Sequence, residues 1–88
     1  MSTVISNADD LDEFASQLSA FSRDLSSQSS RLRAQFHKLG ETWRDPQYAK
    51  FGQEFEQTMT NLERFVRSAD EVAPRLHGTA GRIRDVYR

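Results

Sequence analysis

Gly40-Glu41-Thr42-Trp43-Arg44-Asp45-Pro46 is the stretch that decides the fold. Glycine is a usual stop just past a helix, and Lys38 stands in the turn before it, where a cation suits the negative end of the helix dipole. At the other end, proline pushes the residue before it away from α geometry, while its own fixed φ suits the first position of a new helix. Asp45 is therefore the expected N-cap of a second helix beginning at Pro46. Thr42 competes, because Thr42-Trp43-Arg44-Asp45 has the form of a capping box. That choice would force the pre-proline residue into the helix, so Asp45 is preferred.

Outward from this turn, the apolar residues fall into one rhythm on both sides. Upstream they are Leu11, Phe14, Leu18, Phe21, Leu25, Leu32, Phe36 and Leu39, in steps of three and four with one wider gap. Downstream come Tyr48, Phe51, Phe55, Met59, Leu62, Phe65 and Val66. Such spacing draws a stripe along a helix. It predicts a first helix over about residues 8–39, with Asn7 as its cap and Asp9, Asp10, Asp12 and Glu13 near its positive end. At 1.5 Å per residue that helix is roughly 48 Å long. The second helix is expected over about 46–73, with a kink at Pro74. A weaker helical tail over 75–88 follows, loosened by Gly78 and Gly81.

A six-residue link over 40–45 between two long amphipathic helices implies an antiparallel hairpin, a single all-α domain over 1–88. The acidic start then lies beside the basic end, where Arg75, Arg82, Arg84 and Arg88 stand. Pairing with those acids is a better account of the arginines than a grip on nucleic acid or lipid. Ser26-Ser27-Gln28-Ser29-Ser30 interrupts the stripe in mid-helix. Two readings stay open there. The small serines allow close helix approach with Met59 filling the gap, or the polar layer fixes register and partner choice.

Two helices alone form a ribbon whose stripe is wider than one seam. Leaving four large side chains wet would forgo roughly 1.5–3 kcal/mol each. Against a total stability of roughly 5–15 kcal/mol, that deficit calls for association, most simply a second hairpin closing a four-helix bundle.

Composition narrows the chemistry. Eighty-eight residues with a formal net charge of -1 generate no broad field for nucleic acid, and there is no cysteine for a thiolate or a zinc site. His37 and His77 belong near opposite poles of a hairpin and cannot share a metal or form a dyad. Phosphate loops and nucleophile elbows are missing from the sequence, so no enzyme activity and no cofactor are expected. No apolar run reaches the length of a membrane span, and the first residues do not read as a cleaved leader. The expected location is the cytoplasm, or outside the cell by a route that reads no cleaved leader.

A lone Trp43 in a short link between two helices of some thirty residues resembles the Trp-Xaa-Gly (WXG) family. These are small secreted proteins of about one hundred residues, of ESX-type (type VII) bacterial secretion systems. Tyr48, Phe51 and Phe55 look like the aromatic start of that family's second helix. The resemblance implies antiparallel hairpins that pair into four-helix bundles, as homodimers or as heterodimers with a related hairpin. Trp43, Arg44, Asp45 and Pro46 then form the turn motif, and the two stripes the interface. Asp45 stands where the family has glycine. The family's tyrosine followed four residues on by an acid is not present after helix two, since Tyr87 has only Arg88 behind it. An alternative reading is a cytoplasmic adaptor or chaperone-like subunit whose stripe binds helices of a larger protein.

Overall fold

The computed structural model describes residues 2–87, with side chains described from Asn7 to Tyr87. The described chain is two helices, α1 (Ser2–Leu39) and α2 (Pro46–Val86), packed along each other as a hairpin. The molecule measures 64 × 17 × 16 Å.

The link follows local chemistry. Asp45 sits in extended geometry (φ -77°, ψ 144°) and its carboxylate accepts from the Gln47 N–H at 2.8 Å, with Pro46 next in line. Thr42 instead turns back, its hydroxyl donating to the Leu39 carbonyl. Gly40 does not adopt a positive φ. Its role is clearance: a Cβ at this position would lie 2.3 Å from the Tyr48 hydroxyl oxygen and 2.7 Å from its ring. Tyr48 occupies that space and donates to the Phe36 carbonyl at 3.3 Å, fastening the start of α2 to the end of α1.

One expectation is corrected at the other end of α1. The helix starts at Ser2, so Asn7 lies inside it and caps nothing. Ser2-Thr3-Val4-Ile5-Ser6 holds no proline or glycine, so nothing local stops the helix from extending backwards. The first turn contains no acid, and the helix-dipole role given to Asp9, Asp10, Asp12 and Glu13 falls away. On the far side, α2 carries Pro74 within it and runs on to Val86, with Ala73 and Ala80 buried on either side of the proline.

The seam between the helices is built from small residues. On α1 the fully buried positions are Ala8, Ala15 and Ser22, seven residues apart, and Ser29 and Phe36 continue the row half-buried. On α2 they are Phe55, Met59, Ala69, Ala73 and Ala80. Alanine and serine let the backbones come close. The bulk of the apolar stripe is displaced to one side as a result. The leucine row (Leu11, Leu18, Leu25, Leu32, Leu39) lies about 60° around α1 from the seam, and the row of Phe14, Phe21, Gln28 and Gln35 about 120°.

Candidate interaction face

The two long edges of the hairpin differ in kind. Along one edge, a polar row of α1 meets a polar row of α2. Arg33 reaches both Glu56 (3.8 Å) and Glu63 (3.6 Å). Ser22 donates to Asp70 at 3.0 Å. Near the chain ends, His77 Nδ1 lies 2.7 Å from Asp12, and Arg84 donates to Asp12 and, at 2.5 Å, to Asp9. Hydrogen bonding from His77, then from Arg84, holds the Asp12 carboxyl below its ordinary value. Asp9 first, then Asp12, raises that of the Arg84 guanidinium. The acids at the start of α1 thus serve the end of α2.

The opposite edge is apolar and largely open. Phe14 is 57% exposed, Phe21 55%, Phe51 48% and Phe65 42%. Phe21 and Phe65 meet edge to face across the two helices at 6.0 Å, which places both on this side. Toward the turn, the same edge sinks into a trough of two adjoining parts, each about 500 Å³. One part is lined by Leu25, Gln28, Leu32, Gln35, Met59 and Leu62, among others. The next involves Leu32, Phe36, Leu39, Phe51, Phe55 and Thr58. A dent on the polar edge is smaller, about 210 Å³, and is lined by Ser26, Ser29, Ser30, Arg33 and Arg67 with Met59, Leu62, Glu63 and Val66.

At the turn, aromatic rings close the hairpin from within. Trp43 is half-buried and meets Tyr48 edge to face at 5.4 Å. Tyr48 stacks on Phe36 at 4.6 Å, and Phe36 stacks on Phe55 at the same distance. Arg44 folds back to the Glu41 carbonyl. Trp43 therefore caps a column of rings as part of the turn, with one flank still facing solvent.

Of the residues read from the sequence as the stripe, Phe55 and Met59 are buried between the helices. Leu11, Leu18, Leu25, Phe36, Tyr48, Leu62 and Val66 are half-buried, and Phe14, Phe21, Leu32, Leu39, Phe51 and Phe65 are exposed. What hydrophobicity alone missed is the α1 side of the seam. Ala8, Ala15 and Ser22 carry little apolar weight, and only their seven-residue spacing marks them. Read as a surface residue, His77 remains nearly half exposed, yet it has a definite partner in Asp12.

A slender all-helical hairpin with one edge sealed by polar contacts and the other left apolar defines a class of small helical-hairpin proteins. Within that class, the WXG100 family model (proteins of 100 residues with WXG) matches residues 4–86, and the chain belongs to this family. Its members are small helical proteins of the ESX-secreted type. No curated protein and no solved structure matches the chain. Among the described residues, no helix is long and apolar enough to cross a membrane.

Proposed function

We propose that this chain is a non-enzymatic interaction module that pairs with a related helical hairpin through its apolar edge, forming a four-helix bundle. In this reading it belongs to an ESX-like secretion system, as cargo or as an accessory component. The observation that carries the reading is the asymmetry of the two edges. The polar edge finds its partners within the chain, while Phe14, Phe21, Phe51 and Phe65 keep about half of their surface in water after the hairpin has packed.

The energetic case is direct. Complete burial of a large apolar side chain contributes roughly 1.5–3 kcal/mol, and each of these four has about half of that still to gain. The sum is several kcal/mol, comparable with the stability of a small domain. A second hairpin laid on this edge recovers it, and its own apolar edge gains likewise. Trp43, Arg44, Asp45 and Pro46 set the turn geometry that keeps the two apolar rows in phase.

Thermal unfolding at several protein concentrations tests the reading, with a related hairpin added in a parallel series. A midpoint that climbs with the concentration of the chain or of the added hairpin is expected, because association stabilises only the folded form. A midpoint independent of both would contradict it.

A further inference from the structure

The polar edge is closed at both ends and open in the middle. Glu56, Glu63, Asp70, His77 and Arg84 recur every seven residues along α2, opposite Asp12, Ser19, Ser26 and Arg33 on α1. Toward the turn, Arg33 reaches across to Glu56 and Glu63. Toward the chain ends, Asp12 holds His77 and Arg84. Between them Ser19 and Ser26 are too short to span the edge. It opens there into two adjoining dents of about 210 Å³ and about 320 Å³, which share Ser26, Ser30 and Val66.

We propose that this gap is a docking site for an acidic segment of another protein, one that presents a carboxylate on an apolar stem, such as a glutamate beside a leucine. Charge complementarity argues for that occupant. Arg33 and Arg67 border the smaller dent and Arg23 the larger, while Glu63 borders the first and Asp70 the second. Both acids are engaged, since Arg33 lies 3.6 Å from Glu63 and Ser22 donates to Asp70. Among the described residues, Arg23 and Arg67 have no acid within ion-pair reach. Three guanidiniums thus stand against two carboxylates, which leaves the gap attractive to one more anion.

The lining suits a carboxylate in kind as well as in sign. The hydroxyls of Ser26, Ser29 and Ser30 and the Arg67 guanidinium are donors, and a bond from guanidinium to carboxylate is among the stronger ones. Beneath them Met59, Leu62 and Val66 form an apolar floor for the stem. The smaller dent falls below the roughly 300–1,000 Å³ of small-molecule pockets and is of a size for an inserted side chain. It lies on the edge away from Phe14 and Phe21, so it stays open when the apolar edge is covered.

Nuclear magnetic resonance titration of the native chain tests this with a capped Leu-Glu-Leu-Glu peptide, its Leu-Gln-Leu-Gln counterpart and hexanoate. Saturable shifts at the amides of Ser26, Ser29, Ser30 and Val66 are expected with the glutamate peptide and not with the glutamine one. Arg67→Gln should weaken the binding by about tenfold, the worth of one charge-assisted hydrogen bond. Ser26→Leu fills the gap from an exposed position and should abolish binding while circular dichroism stays helical. Equal shifts with the glutamine peptide, shifts confined to the apolar edge, or no shift with any probe would overturn the site. Binding that Arg67→Gln leaves unchanged would do the same. Saturation by hexanoate without a response to the glutamate peptide would overturn a protein segment as the occupant. None of these outcomes depends on whether the apolar edge pairs.

Discussion

The two edges of the hairpin are made from the same pair of helices, yet one is finished and the other is not. On the polar edge the start, middle and later part of α1 each hold α2: Asp9 and Asp12 take Arg84 and His77, Ser22 donates to Asp70, and Arg33 reaches Glu56 and Glu63. These contacts are mostly solvent-exposed, so each is worth little in stability. What they contribute is direction, since charges of opposite sign in matched rows fix which edge closes. The apolar edge has the larger energies at stake and leaves them unrealised. The comparison teaches that small residues in the seam decide where the large ones go. Ala8, Ala15 and Ser22 bring the backbones together and turn Phe14 and Phe21 outward.

Breaking the apolar edge should have the largest effect. Phe14→Glu with Phe21→Glu places two charges where a partner hairpin is expected to pack, and loss of hot-spot aromatics typically costs at least about 2 kcal/mol each. Self-association measured by sedimentation equilibrium should weaken by about a hundredfold or more. Helicity should persist at concentrations where the variant remains folded, because neither ring is needed for the seam.

Next comes the place where the apolar edge is closed from within. Phe36 stacks on Tyr48 and Phe55 and lies 5.8 Å from Phe51. Phe36→Ala should destabilise the hairpin by about 2–4 kcal/mol, read by denaturant unfolding at fixed protein concentration. Gly40→Ala attacks the same column from outside. The added methyl meets the Tyr48 ring, so about 1–3 kcal/mol should be lost, and the pairing of Tyr48 with Gly40→Ala should be relieved by Tyr48→Ala.

The smallest effect belongs to the polar edge and depends on pH. With its folded value depressed below the ordinary 3.8, Asp12 contributes stability that is present above that ordinary value. The contribution is lost as pH falls through the lower folded value. Native protein should therefore lose slightly more stability than Asp12→Asn as pH is lowered from neutral to below about 3.5, measured by thermal melts across that range. Equal slopes for the two proteins would remove Asp12 from the account of the polar edge.

Much of this architecture was legible in the sequence, and unevenly so. The turn was readable because Gly40, Asp45 and Pro46 act through local backbone geometry that needs no knowledge of the fold. The hairpin followed from two periodic stripes and a short link. The start of α1 was not readable, because Asn7 is as acceptable inside a helix as a cap when nothing before it breaks the helix. The seam was obscured for a related reason. Hydrophobic periodicity ranks phenylalanine and leucine above alanine and serine, so it found Phe55 and Met59 on the buried side of α2 but overlooked Ala8, Ala15 and Ser22 on α1. The pairing of His77 and Arg84 with Asp12 joins residues more than sixty positions apart in the chain and depends on the register of the two helices. No local signal encodes that register, although the opposite charges of the two chain ends pointed to it.

The division of labour between the edges is the central claim, and light scattering on two single variants tests it most directly. Phe21→Glu and Arg33→Glu each change one residue on opposite edges of α1 and each disturbs charge. The account predicts that native protein and Arg33→Glu, run alone and with a related hairpin added, form the same pair of chains, whereas Phe21→Glu shifts toward the single 10.1 kDa chain. A native chain that pairs neither with itself nor with a related hairpin, or a pair that survives Phe21→Glu and is lost on Arg33→Glu, would contradict it.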